Sequence, residues 1–219
     1  MRQIIAPNGP PAVSPPLRRP LGAVAILSGL MVVVLAAQYA GDIAAGPLDR
    51  WVQATVRALW REPGLGTILI ASVGDPFWVV VFTGLLAAVC LALGRRRLAV
   101  VAGAGVGMTG VVTTALKPVV GRTINGGFLA YPSGHTAAAT VLTLIVTLLI
   151  VDLLRVRGLP GVLLILSGTG VAGSGMALSQ IIQGTHYVTD TVGGFCTALV
   201  VVPATAYVVD RLADRGAGT

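Results

Sequence analysis

The sequence predicts an all-α membrane protein: a six-transmembrane-helix bundle with a short interfacial helix after the first span. Three observations predict it. Of the 219 residues, 55% are hydrophobic and only 11% are charged, whereas soluble domains usually carry about 25% charged residues. The apolar residues gather in stretches of about 20, the length that crosses a bilayer. Arginines cluster between alternate stretches, as the positive-inside pattern requires. The net charge of +7 would also suit nucleic acid. However, the arginines are spread over many loops instead of one face, so no nucleic-acid partner is expected.

Residues 1–20 hold many prolines and end in Arg18-Arg19, which reads as a disordered cytoplasmic tail. The first span runs from Leu21 to Ala40. No clear small-x-small site closes it, so it reads as an uncleaved helix and not a signal peptide. Beyond it, Leu48, Trp51, Val52, Val56, Leu59 and Trp60 recur at helical spacing, with Asp49, Arg50, Gln53 and Arg57 between them. This is an amphipathic helix, either anchored at the interface by its tryptophans or packed on the membrane domain. Leu65 to Val73 is a short apolar helix, broken at Gly74-Asp75-Pro76.

The remaining spans are Phe77 to Leu93, Leu98 to Leu116, His135 to Leu154, Pro160 to Ile182 and Asp190 to Val209. The membrane domain thus covers 21–210, and 211–219 is a second cytoplasmic tail. Gly103, Gly107 and Gly110 in the third span, and Gly168, Gly170, Gly173 and Gly175 in the fifth, are expected to let helices approach closely. Cys90 and Cys196 fall at depths that differ by roughly 12 Å, too far apart for a disulfide.

Six spans place both termini on one side. Arg2, Arg18, Arg19, Arg95, Arg96, Arg97, Arg155, Arg157, Arg211 and Arg215 then lie inside. Only Arg50, Arg57, Arg61, Lys117 and Arg122 lie outside. The expected location is the cell (plasma) membrane, with the Lys117 and His186 loops facing out. The oligomeric state is not readable from the sequence.

The chain has two histidines, and each sits in a short polar string at the end of an apolar segment: Tyr131-Pro132-Ser133-Gly134-His135, and His186-x-x-x-Asp190. Charged and titratable groups beside hydrocarbon cost several kcal/mol each, so their gathering points to function. The Pro-Ser-Gly string opens a helix whose free N–H groups suit an anion, and Ser133 adds a hydroxyl. His186 and Asp190 are four apart, and they share a face if the start of the last span is helical. A carboxylate on Nδ1–H would fix the tautomer and leave Nε2 free to attack. Lys117 and Arg122 are cations able to hold phosphoryl oxygens. The same two cations oppose a divalent ion, so no metal is expected at the histidines.

The order Lys117, Arg122, Pro132-Ser133-Gly134-His135, Ser179-x6-His186-x3-Asp190 resembles the three-part signature of the type 2 phosphatidic acid phosphatase (PAP2) superfamily. The resemblance covers about Gly74 to Val209. It implies a six-span integral membrane lipid phosphatase that needs neither metal nor cofactor. By the same resemblance His186 is the nucleophile, Asp190 orients it, and His135 is the general acid and base. Lys117, Arg122, Ser133 and the N–H of Gly134 bind the phosphoryl group. The implied substrate is a membrane lipid phosphate or diphosphate, such as a polyprenyl (di)phosphate, phosphatidate or phosphatidylglycerol phosphate. A lipid phosphotransferase and a non-catalytic lipid-phosphate binding or transport protein are the alternatives. The Gly/Ala/Val/Arg-rich composition fits a bacterial source.

Two positions depart from the family pattern. An Arg-Pro pair usually stands seven and eight residues after the Lys, where this chain has Ile124 and Asn125. The third motif usually begins Ser-Arg, where this chain has Ser179-Gln180. Two phosphate-binding cations are therefore missing, and Arg122 is expected to replace them in part.

Overall fold

The computed structural model describes residues 9–60 and 62–216. Among them are eight helices: α1 (Pro15–Gln38), α2 (Pro47–Leu59), α3 (Leu65–Ser72), α4 (Pro76–Ala92), α5 (Arg96–Val120), α6 (Gly134–Leu153), α7 (Gly158–Ile182) and α8 (Val188–Gly216). A two-residue antiparallel ribbon, β1 (Thr123–Ile124) with β2 (Phe128–Leu129), sits between α5 and α6. Proline at a first helical position starts α1, α2 and α4, where its missing N–H costs nothing. Gly121, at φ +66°, ends α5 with the left-handed residue that helices favour there.

Five helices, α1, α5, α6, α7 and α8, are long and apolar enough to cross a membrane. The spans number five, or six where α3 and α4 together make a broken span and not a re-entrant loop. α4 has only 17 residues, and it joins α3 through a break bent by 63°. α6 is the most buried of the spans and α1 the least; α6 packs on α5, α7 and α8, and α1 packs on α8. The core between them is Leu, Val, Ile and Ala, with Leu144, Ile145, Ile165, Val101 and Val202 among its most enclosed members. Threonines inside the bundle bond back along their own helices: Thr109, Thr140, Thr169 and Thr197 each donate to the carbonyl four residues earlier. Each hydroxyl is thereby satisfied without a partner from outside its helix. Cys90 and Cys196 are both buried and free.

The structure extends several of the expected elements. α5 continues past Leu116 through Val120, and α8 continues past Val209 to Gly216. The N-terminal expectation needs correction. Residues 1–8 lie outside the described residues, as do Arg61 and 217–219. Within 9–20, α1 already begins at Pro15, and Ala12 and Val13 are buried. The reason is Asp210, itself buried near the end of α8. Its carboxylate accepts from the Ala12 and Val13 N–H groups at 2.8 and 3.4 Å and from Arg18 at 2.9 Å. Arg97 approaches Asp210 at 3.4 Å and Asp214 at 2.7 Å, and Arg95 pairs with Asp152. A second correction concerns glycine. Gly168 and Gly173 do admit close neighbours, but Gly103, Gly107 and Gly110 face open space on the outer side of α5.

Asp210 is the shared partner of two arginines and two backbone donors. Its replacement, Asp210→Ala, should therefore cost about 1–3 kcal/mol for each buried donor left unpaired. A thermal melt in detergent reads this directly, and an unchanged melting temperature would contradict the assignment.

Candidate active site

At the end of the bundle away from Asp210, the last turn of α5, the ribbon, the start of α6, the α7–α8 loop and the start of α8 converge. Tight packing brings them together. Gly193 and Gly194 of α8 lie against the Tyr131-Pro132-Ser133 segment. A Cβ on Gly194 would stand 2.2 Å from the Ser133 carbonyl oxygen, and one on Gly193 would stand 2.4 Å from the Tyr131 ring. The Ser133 N–H also donates to the Asp190 carbonyl at 2.9 Å. The two polar strings, about fifty residues apart in sequence, are thus fastened to each other by backbone.

His186 is 7% exposed and lines a cavity of about 400 Å³, together with Lys117, Ile124, Asn125, Leu129 and Thr185. Its Nδ1 lies 3.7 Å from Asp190 Oδ2, just beyond hydrogen-bond length, and has no hydrogen-bond partner among the described residues. Catalytic hydrogen bonds are often this long before substrate binds. Because Nδ1 faces the carboxylate, Nε2 is the nitrogen turned away from it. Lys117, the chain's only lysine, occupies the last turn of α5 and donates to the Leu129 carbonyl at 2.8 Å.

His135 is the second residue of α6 and lies within electrostatic reach of His186 and Lys117. Its Nε2 is 3.2 Å from Asp75 Oδ1. Asp75 precedes α4, at the elbow with α3. Gly74 presses on the imidazole so closely that a Cβ there would come within 2.6 Å of the ring. Ser133 caps α6, its Oγ accepting from the Thr136 N–H at 3.3 Å, and it is fully buried. Its hydroxyl oxygen therefore accepts at the helix start, which leaves its O–H to donate. Gly134 is the first residue of α6, where a backbone N–H has no acceptor within the helix.

Arg122 is not where its expected role as a phosphoryl clamp requires it to be. Its side chain is 0% exposed. One Nη donates to Asp190 Oδ1 at 2.6 Å and to Thr189 Oγ1 at 2.6 Å, and the other pairs with Asp49. Tyr39 and Tyr187 lie against the guanidinium, with ring centroids 4.1 and 4.5 Å from its central carbon. Burial pushes the phenol pKa of Tyr187 up, and that of Tyr131 as well, so both stay neutral. The physical reason for the discrepancy is desolvation: a fully buried guanidinium persists only where carboxylates balance it.

The two departures from the family pattern are also placed. Ile124 is on the wall of the cavity, packed with Ala130 and Tyr187. Gln180 is buried, and its Oε1 accepts from Thr185 Oγ1 at 2.6 Å, so it braces the loop that carries His186. The ends of α7 and α3 are tied by Ser179 Oγ, which donates to the Thr67 carbonyl at 2.6 Å. A larger apolar cavity of about 520 Å³ lies between α1 and α8 at the opposite end, and neither histidine nor Lys117 lines it.

Sequence reasoning missed Asp49 and Asp75. Each left a signal. Asp75 is an acidic residue at a Gly–Pro break between apolar segments. Asp49 lies three and seven residues before Val52 and Val56, on the buried face of α2 and not its polar one.

The described residues thus form a helical membrane bundle with two histidines, a lysine and a paired carboxylate gathered at one end. A sequence model of the PAP2 superfamily matches residues 25–214, and the chain belongs to that superfamily. The fold is similar to the crystal structure of a transmembrane PAP2 type phosphatidylglycerolphosphate phosphatase from Bacillus subtilis. The two chains are 19% identical with a TM-score of 0.65, over 87% of this chain and 96% of that one. No curated protein matches the chain by sequence.

The close approach at Gly194 gives a direct test. Gly194→Ala puts a methyl group into a backbone carbonyl that cannot yield, and overpacking of this kind costs about 1–3 kcal/mol. Gly103→Ala, in open space on a helix, should be neutral or slightly stabilising. Equal melting temperatures for the two variants would refute the packing argument.

Proposed function

We propose that the protein is an integral membrane phosphatase that hydrolyses a lipid phosphate or diphosphate through a phosphohistidine. The observation that carries this reading is the cavity shared by His186 and Lys117, with Asp190 behind the histidine. Membership of the PAP2 superfamily and the likeness to a lipid phosphatase agree with it.

His186 Nε2 attacks phosphorus, so an N–P bond forms as the P–O bond to the leaving group breaks. His135 gives its proton to the departing oxygen. With Nε2 held by Asp75, Nδ1 is the nitrogen of His135 left to exchange that proton. A water then attacks phosphorus, its proton passes to His135, and the N–P electron pair returns to His186. Asp190 steadies the His186 ring as positive charge develops on it. Lys117 and the N–H groups at the start of α6 stabilise charge on the phosphoryl oxygens. Arg122 supports Asp190 and does not touch the phosphate. With Ile124 on the cavity wall, binding rests on one cation, which suits an amphiphile anchored also by its lipid tail. Phosphatidate, phosphatidylglycerol phosphate and polyprenyl (di)phosphates all have that form. The absent cations also favour a second reading, a protein that binds lipid phosphates without cleaving them.

Phosphate release from a panel of these three lipids in mixed micelles separates the readings. Turnover should be abolished by His186→Ala and reduced roughly 10²- to 10⁴-fold by His135→Ala. Asp75→Asn should slow turnover without abolishing it. A chelator should leave it unchanged. Binding without release of phosphate would favour the second reading.

The bias of arginine supports a site at the outer face of the cell membrane. Arg96→Cys and Gly126→Cys, which stand at opposite ends of the bundle, should then differ toward an impermeant maleimide in intact cells. Only the Gly126 variant should be labelled, and the reverse pattern would invert the topology.

A further inference from the structure

The amphipathic helix α2 reaches the nucleophile. Its Asp49 is completely buried, although Leu48, Trp51 and Leu59 on the same helix are more than half exposed. Asp49 Oδ1 accepts from the Thr189 N–H at 3.1 Å, capping the first turn of α8 from another helix. The Thr189 hydroxyl donates to Asp49 and accepts from Arg122. Arg122 divides its two Nη groups between Asp49 and Asp190. Asp190 Oδ1 takes Arg122, while Oδ2, the oxygen nearer His186, takes only the Tyr187 N–H, at 2.9 Å, among the described residues.

The geometry points to Asp49 as a positioning residue for phosphoryl transfer, acting through Arg122 and Asp190 on His186. The inference rests on the phosphatase reading above. Its logic is competition for one guanidinium. An Arg–carboxylate pair is strongest when bidentate. While Asp49 holds one Nη, Arg122 meets Asp190 through the other alone, and Oδ2 stays directed at the imidazole. Without the Asp49 charge, both Nη groups are free to close on Asp190. That rotation draws Oδ2 away from His186 and spends the carboxylate's charge on the guanidinium. The nucleophile then loses its orienting partner, although no residue of the cavity has changed. Asp49 does not line the cavity, so substrate affinity should not register the change.

The test is Asp49→Asn and Thr189→Val, each in the native chain and in an Asp190→Asn background. The assay follows phosphate release from phosphatidate, phosphatidylglycerol phosphate and a polyprenyl diphosphate in mixed micelles. In the native background each variant should lower kcat roughly 10-fold or more, the effect of one charge-assisted hydrogen bond. KM should stay within about twofold. In the Asp190→Asn background the further loss should shrink to less than about twofold, since coupled residues are not additive. A folded Asp49→Asn protein with native kcat overturns the inference and leaves the phosphatase reading standing. So does an equal loss in both backgrounds, which marks a role in folding alone. If Asp49→Asn does not fold, Thr189→Val keeps every charge and decides by the same two readouts. A native chain that releases phosphate from none of the three lipids removes the phosphatase reading and this inference with it.

Discussion

Arg122 is the group around which the outer end of this bundle is organised. A guanidinium removed from water must be balanced by anions, or the fold loses several kcal/mol. Two carboxylates meet it, one from α2 and one from α8, and two tyrosine rings cover it. That arrangement settles several things together. It fixes the entry of α8, whose first turn is capped by Asp49 and by Asp190. It pins α2 to the bundle, so that a helix with an apolar outer face still has one defined seat. It also holds the carboxylate behind His186.

The phosphate side of the site is sparse by comparison. Lys117 is the cation on the cavity wall, and it reaches across to the ribbon carbonyl of Leu129. The rest of the wall mixes an amide, a hydroxyl and apolar side chains. Positive charge in the molecule is thus unequally used. Arg122 is committed to structure, and at the other end Arg18, Arg95 and Arg97 are committed to Asp152, Asp210 and Asp214. A net charge of +7 says little about how much of that charge a ligand meets.

The fold was largely legible in the sequence because hydrocarbon imposes a single rule. Apolar stretches must be long enough to span, and their ends are marked by Arg, Pro and Gly. The starts of α4, α6, α7 and α8 were therefore placed within two residues. The misjudged parts were set by long-range pairing. Nothing local to residues 12 and 13 reveals that Asp210 receives their N–H groups. Likewise, the spacing of Lys117 and Arg122 cannot tell a cation facing a ligand from one facing two buried acids. His135, His186, Lys117 and Asp190 were legible because polar groups at the ends of apolar helices are rare. Gly193 and Gly194 were passed over, since the glycines of other helices were more numerous, yet these two make the closest approach.

That approach also bears on how a lipid headgroup gets in. The starts of α6 and α8 meet through backbone, at Gly194 against the Ser133 carbonyl and through the Ser133 to Asp190 hydrogen bond. No side chain there can rotate aside to make a passage, so this seam behaves as the fixed jamb of a doorway. The opposite side is different in kind. The α3–α4 elbow is a broken helix, its Asp75 is half exposed, and it meets the site through one ring and one hydrogen bond. If the entrance widens for a bulky headgroup, the swing belongs to the elbow: Asp75 moves with the hinge, and His135, on the fixed start of α6, is left without its carboxylate partner.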